Sequence, residues 1–167
     1  YHDNYFDIVC LSNSLHHLSE PFPIFKEMER ILKPQGLLII NEMISTPLTK
    51  EQQSHKLIHH FSAEIDRFLG VFHDDTYTKD EIESKLKQYS ICDIEDSWIP
   101  GYPDKHIFTD EEVEHIIKSI DQMLLRVQNT DQIEYFKDKA KTIQTYIGNH
   151  RFDLASQYMF ILRKPSF

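Results

Sequence analysis

The chain has 167 residues, 40% of them hydrophobic and 27% charged, with a formal net charge of -9 at neutral pH. That length supports a real hydrophobic core, and the composition is that of an ordinary globular protein rather than a disordered or fibrous one. Twenty-seven acidic side chains against 18 basic ones, with no dense Lys/Arg stripe, repel phosphate backbones and exclude nucleic acid as the expected partner; no apolar run approaches the roughly 18–20 residues needed to span a bilayer.

Phe6 to Ser12 reads as a strand. Phe6, Ile8, Val9, Cys10 and Leu11 form a continuous apolar run, as expected for a strand covered on both faces. A polar turn comes next, Ser12-Asn13-Ser14, and then Leu15-His16-His17-Leu18. Ser19 can cap a helix with Pro21 in its first turn, where the missing N–H costs little. Ile24, Phe25, Met28, Ile31 and Leu32 share one face of that helix at helical spacing. Lys33-Pro34-Gln35-Gly36 ends it, with proline blocking continuation and glycine supplying the turn. Leu37 to Glu42 is the second strand, and the intervening helix makes a parallel, right-handed crossover the expected connection. In open parallel sheets ligands bind at the C-terminal edge of the strands, where the histidine-bearing turn sits.

A helix is expected from Thr46 to Leu69, with Leu57, Ile58, Phe61, Ile65, Phe68 and Leu69 as its buried stripe and Gly70 as terminator. Thr78 and Glu81 form a capping box for a helix carrying Ile82, Leu86 and Tyr89. Ile91 to Trp98 alternates apolar and acidic residues, the pattern of a strand with one wetter face. Pro100-Gly101-Tyr102-Pro103 breaks the pattern. Thr109 and Glu112 make a second capping box, and the helix behind it carries Val113, Ile116, Ile117, Ile120, Leu124 and Val127. A further helix starts at Asp131, carries Ile133, Phe136, Ala140, Ile143 and Ile147, and is expected to close at Gly148. The two helices should pack as an antiparallel pair. Tyr158 to Leu162 is the last strand. Cys10 and Cys92 lie in apolar runs at no metal or redox spacing, and read as buried, reduced thiols of a cytoplasmic protein.

Phe6-Asp7-Ile8-Val9, then Leu15-His16-His17-Leu18, then Ile31 to Ile39 with its Lys-Pro-Gln-Gly turn, together resemble the C-terminal portion of a class I S-adenosylmethionine-dependent methyltransferase. The resemblance is strongest over residues 5–43 and weaker over residues 78–98. It implies an α/β fold: a partial Rossmann-like methyltransferase sheet of parallel strands, a third strand beside the first two, and a final antiparallel strand. Helices are expected on both faces, with a two-helix insertion. One domain is expected over residues 1–167, with a helical lid segment at 46–77 and a helical insertion at 103–150. The resemblance also implies S-adenosylmethionine as cofactor, with Ser12, Asn13, Ser14, Leu15 and His17 facing it. The sequence departs from the family in one large respect. Its four glycines, Gly36, Gly70, Gly101 and Gly148, are isolated, and no G-x-G occurs. The simplest account is that an upstream half carries the glycine-rich cofactor loop, so this chain alone is expected to be inactive.

Several side chains carry a candidate role beside a plainer one. His16 suits removal of a proton from a methyl acceptor, or packing under the loop. Glu42 ends the second strand at the same edge and suits orienting a substrate amine or hydroxyl, or capping the next segment. His59, Asp66 and His73 are candidate substrate-binding residues of the lid. His55 and His59 have the spacing of a metal-chelating pair, but a solvated polar face explains them, and no metal site is expected. Trp98, Tyr102 and Phe108 suit an apolar pocket wall or ordinary packing. The expected activity is methyl transfer to a small-molecule acceptor. The alternatives are a non-catalytic interaction or oligomerisation module that keeps half of such a sheet, or another doubly wound enzyme. An apolar edge near Phe6–Leu11 makes a homo-oligomer the expected state.

Overall fold

The computed structural model describes residues 1–101 and 106–166. In chain order the elements are β1 (Phe6–Ser12), α1 (Pro21–Ile31), β2 (Leu32–Met43), α2 (Lys50–Phe68), α3 (Lys79–Tyr89), β3 (Asp93–Trp98), α4 (Asp110–Leu124), α5 (Ile133–His150) and β4 (Gln157–Arg163). Short 3-10 turns occupy Leu15–His17 and Leu125–Val127. The chain divides into two compact units. The first joins Tyr1–Thr46, Tyr77–Gly101 and Ser156–Phe167; the second joins Pro47–Thr76 and Tyr102–Ala155. Residues 47–76 of the segment read as lid, and residues 106–150 of the segment read as insertion, fall in the second unit.

The first unit holds a four-stranded mixed sheet in the order β1-β2-β4-β3. β1 and β2 are parallel, with Val9 opposite Leu38, Leu11 opposite Ile40 and Ser12 opposite Asn41. β4 runs antiparallel to both β2 and β3. The α/β fold class with parallel strands and a final antiparallel strand is thus found, with one correction to the strand order. The third strand does not lie beside the parallel pair, because β4 comes between. The reason is burial: β4 buries Phe160 and Leu162 completely, while β3 carries Asp93, Glu95 and Asp96, which suit a strand at the sheet's edge.

One face of the sheet carries Val9, Leu11, Leu38, Ile40, Ile94, Phe160 and Leu162, packed with Phe25 and Met28 of α1 and Ile82 and Leu86 of α3. The opposite face is wetter: Ile8 is 52% exposed, and Cys10, expected to be buried, is exposed. Cys92 is buried, and burial pushes its thiol up from the usual value.

Several boundaries differ from expectation for local reasons. Ser19 does not cap α1; Glu20 holds that position without a side-chain bond, and proline opens the helix. The Lys33-Pro34-Gln35-Gly36 segment is not a loop before β2. It is an irregularity inside β2, where the pairing shifts between Phe6 opposite Leu32 and Ile8 opposite Leu37. Helix α2 begins at Lys50, where Thr49 and Gln52 form a capping box. The boxes at Thr78/Glu81 and Thr109/Glu112 are present as expected. Helix α5 runs through Gly148 to His150 and is turned by Arg151 at a φ of 68°.

The second unit is a helical body. Ile58, Phe61 and Ile65 of α2 meet Val113 and Ile120 of α4 and Phe136, Ala140, Ile143 and Ile147 of α5. Gln144 donates to the Ile117 carbonyl at 3.2 Å and Arg151 donates to Asp110 at 2.6 Å, so α4 and α5 run antiparallel.

Candidate functional site

The parallel register places Ser12 opposite Asn41, so the next residue of β2, Glu42, lies beside the turn that leaves β1. Asn13 extends the ladder by donating its N–H to the Asn41 carbonyl at 2.8 Å. It then turns the chain with a φ of 47°, a left-handed conformation that asparagine tolerates. The Ser14 hydroxyl donates to the Ser12 carbonyl at 2.8 Å.

Glu42 organises the residues after this turn. Its Oε1 accepts the backbone N–H of Ser14 at 2.6 Å and that of Leu15 at 2.7 Å. Its Oε2 lies 2.8 Å from His16 Nδ1. Glu42 is 1% exposed, His16 2% and Leu15 1%. A carboxylate removed from water needs such partners, and here it has three. Ser12, Asn13 and His17 are exposed, and the His17 ring lies 4.4 Å from that of His16. The structure therefore brings Ser12, Asn13, Ser14, Leu15, His16, His17 and Glu42 to one edge of the sheet. The strand-end carboxylate was visible in the sequence; its bond to the turn was not.

The lid candidates meet in the second unit. His73 Nδ1 lies 2.6 Å from Asp66 Oδ2, and the His59 ring stands edge-on to that of His73 at 5.0 Å. Arg126, which no sequence motif marks, holds the other oxygen of Asp66. Burial pushes the Asp66 carboxyl up, but the hydrogen bonds from Arg126 and His73 outweigh it and hold the group below the usual carboxylate range. Arg67 donates to the His73 carbonyl at 2.5 Å and approaches Asp75 at 3.1 Å. His55 is engaged elsewhere: its Nδ1 accepts the Ala155 N–H at 3.0 Å. Phe108 packs on Phe152 at 4.9 Å, Trp98 is 37% exposed, and Tyr102 lies outside the described residues. A cavity of about 370 Å³ opens between α2 and α5, walled by Leu57, Phe61 and Ile143. Its Glu64 is held by the Tyr135 hydroxyl at 2.5 Å and by Lys139.

Residues 1–40 match the family model described as "Methyltransferase domain". The fold is that of a class I methyltransferase. A cyclopropane-fatty-acyl-phospholipid synthase-like protein from Lactobacillus casei superposes on 96% of this chain with a TM-score of 0.64 at 12% identity. A candidate methyltransferase from Bacillus halodurans covers 99% with a TM-score of 0.50 at 14% identity. The MccD protein covers 98% with a TM-score of 0.52 at 13% identity. At such identities the likeness concerns the methyltransferase fold alone. This chain spans 57%, 67% and 62% of the lengths of those three proteins. No curated protein matches the sequence. No helix among the described residues is long and apolar enough to cross a membrane.

Proposed function

We propose that the chain supplies the C-terminal part of an S-adenosylmethionine-dependent methyltransferase acting on a small-molecule acceptor. One observation carries the reading. In a methyltransferase-type sheet, the turn at the C-terminal end of β1 is pinned by Glu42 through Ser14, Leu15 and His16. That edge is where parallel α/β sheets bind ligands.

The residues present suit one end of the cofactor. Ser12, Asn13 and His17 offer exposed polar side chains, a set that matches the amino-acid end of S-adenosylmethionine. The N–H groups of Ser14 and Leu15 are committed to Glu42 and take no part in holding it. The bound cofactor would supply an electrophilic methyl group on a sulfonium. Alignment of the acceptor then matters more than acid–base strength. His16 would receive the acceptor's proton. Glu42, with three bonds to the turn, is assigned to holding the turn rather than to the acceptor.

The test is titration of this chain with S-adenosylhomocysteine, monitored by backbone amide NMR. The expected result is perturbation centred on residues 12–17, with an affinity weaker than about 100 µM, since one end of the ligand is held. Unperturbed amides across that turn at millimolar ligand would remove the assignment.

A further inference from the structure

We propose that the cavity between α2 and α5 is a binding site for an organic ammonium ion with a compact apolar body, and that the Lys139 side chain is its built-in competitor. The site belongs to the helical unit and stands apart from the methyltransferase reading.

The walls follow from helical spacing. Leu57, Phe61 and Glu64 recur every three or four residues on α2, and Tyr135, Lys139 and Ile143 every four on α5, so each set shares one face of its helix. Together they bound a cavity of about 370 Å³, within the size range of small-molecule sites. Leu57, Phe61 and Ile143 give it an apolar floor, and Glu64, Tyr135, Asp138 and Lys139 supply its polar wall. Of the other lining side chains, His60 is engaged with Thr76 and Asp75, and Thr142 donates its hydroxyl to the Asp138 carbonyl at 2.9 Å.

The protein's own ammonium shows what this wall receives. Lys139 donates to Glu64 Oε2, and its Nζ lies over the Tyr135 ring, 5.1 Å from the centroid. The Tyr135 hydroxyl donates to Glu64 Oε1 at 2.5 Å, which holds carboxylate and ring in one arrangement. A carboxylate beside an aromatic face suits an ammonium twice over, through the charge-assisted hydrogen bond and through the ring quadrupole. Burial pushes the Glu64 carboxyl up, but the hydrogen bonds from Lys139 and Tyr135 outweigh it and hold the group below the usual carboxylate range. Lys139 is a replaceable occupant. Its side chain is 43% exposed, its stem is flexible, and a partly exposed ion pair of this kind contributes little. An incoming ammonium takes the same carboxylate oxygen while Lys139 turns to water.

The sign of the ligand follows from the charges on the wall. Glu64 and Asp138 are acidic, against Lys139. Displacing the lysine leaves two carboxylates for the ligand to meet. A ligand carboxylate would be repelled by both, and an uncharged ligand would find the floor but leave Glu64 without a cation. An arylalkyl or cycloalkyl amine satisfies floor and wall together.

The test is a chemical-shift titration of the whole chain at pH 7.5, without cofactor, using three probes that share one ring: 2-phenylethylamine, 2-phenylethanol and phenylacetate. The amine should shift backbone amides around residues 57–64 and 135–143, with roughly millimolar affinity. It should bind more tightly than the alcohol, with the carboxylate weakest. Lys139→Met keeps the stem and removes the competitor, so the amine should bind about two- to fivefold more tightly. Glu64→Gln keeps an acceptor for the Tyr135 hydroxyl and removes the charge, so the amine should bind about tenfold more weakly while the alcohol is unchanged. An alcohol or carboxylate that binds as tightly as the amine overturns the proposal. So does an amine affinity that does not rise in Lys139→Met or does not fall in Glu64→Gln, and so does the absence of shifts on α2 and α5 at the solubility limit of the amine. If a variant does not fold, the order of the three probes on the wild type decides. Failure here is separate from failure of the S-adenosylhomocysteine titration, which reads residues 12–17.

Discussion

Lys164 closes the C-terminal end of α1 by donating to the Glu29 carbonyl at 2.6 Å. The same ammonium reaches the Leu32 carbonyl at 2.7 Å and Asn4 Oδ1 at 3.1 Å. A helix end leaves carbonyls without intrahelical partners and carries partial negative charge, so a cation there satisfies both. The Glu29 side chain turns the other way. Its Oε1 accepts the Ser90 hydroxyl at 2.6 Å and the Ile91 N–H at 2.7 Å. One residue pair thus joins the end of β4, the end of α1 and the residues that follow α3.

Lys164→Met keeps the aliphatic stem and removes the three donors. With Lys164 only 9% exposed, water does not replace them fully. The expected loss is about 2–3 kcal/mol of unfolding free energy, read from urea midpoints at constant slope. A change within about 0.5 kcal/mol, the range of ordinary surface substitutions, would show that the carbonyls find other partners.

Gly36 is required by space rather than by backbone angle. The left-handed residue of the Lys-Pro-Gln-Gly segment is Gln35, at a φ of 63°. A Cβ on Gly36 would lie 2.8 Å from the Lys33 carbonyl oxygen and 3.0 Å from that of Asp7, both of them backbone atoms. Gly36→Ala should therefore cost about 1–3 kcal/mol through overpacking. Gln35→Gly should stay within about 1 kcal/mol, because it relieves the left-handed conformation while losing a side-chain contact. Thermal melts of the two variants check this, and equal shifts would contradict it.

Short-range signals were legible in the sequence: the Thr78/Glu81 and Thr109/Glu112 boxes, and the paired apolar strands around Val9 and Ile39. The pattern of β1 misled, because a continuous apolar run does not say that both faces are covered, and Ile8 and Cys10 turn out exposed. Long-range pairings were out of reach. The bond from Glu42 to Leu15 depends on the register of two strands and spans 27 positions. The grip of Arg126 on Asp66 spans 60. Likewise, β4 lies inside the sheet because of how deeply Phe160 and Leu162 are buried, which spacing alone does not reveal.

Strand β1 stands at the end of the sheet order. Among the described residues it pairs with β2 alone, and Tyr5 and Ile8 beside it are 46% and 52% exposed. An edge strand with apolar side chains favours association. Sedimentation equilibrium at high concentration should give a dimer or larger species. Ile8→Lys should shift it toward monomer, since a charge on an edge strand opposes pairing. A clean wild-type monomer would refute the expectation.

His55 gives the second unit a definite pH response. Burial pushes its imidazole below the ordinary histidine value, with Asp153 pulling weakly the other way. The geometry agrees, because Nδ1 accepts the Ala155 N–H and a protonated nitrogen does not accept. In the unfolded chain the group titrates near its reference value of about 6.5. Between the depressed folded value and that reference, the unfolded state binds more protons, so stability rises with pH across the window. The contribution is present above the unfolded value and is lost as pH falls through the folded one. His55→Gln retains an acceptor for the Ala155 N–H and removes the titration. Urea midpoints at pH 7.5 and 5.5 should therefore fall further for the wild type than for the variant. Parallel falls in the two proteins would show that His55 is not the group that titrates.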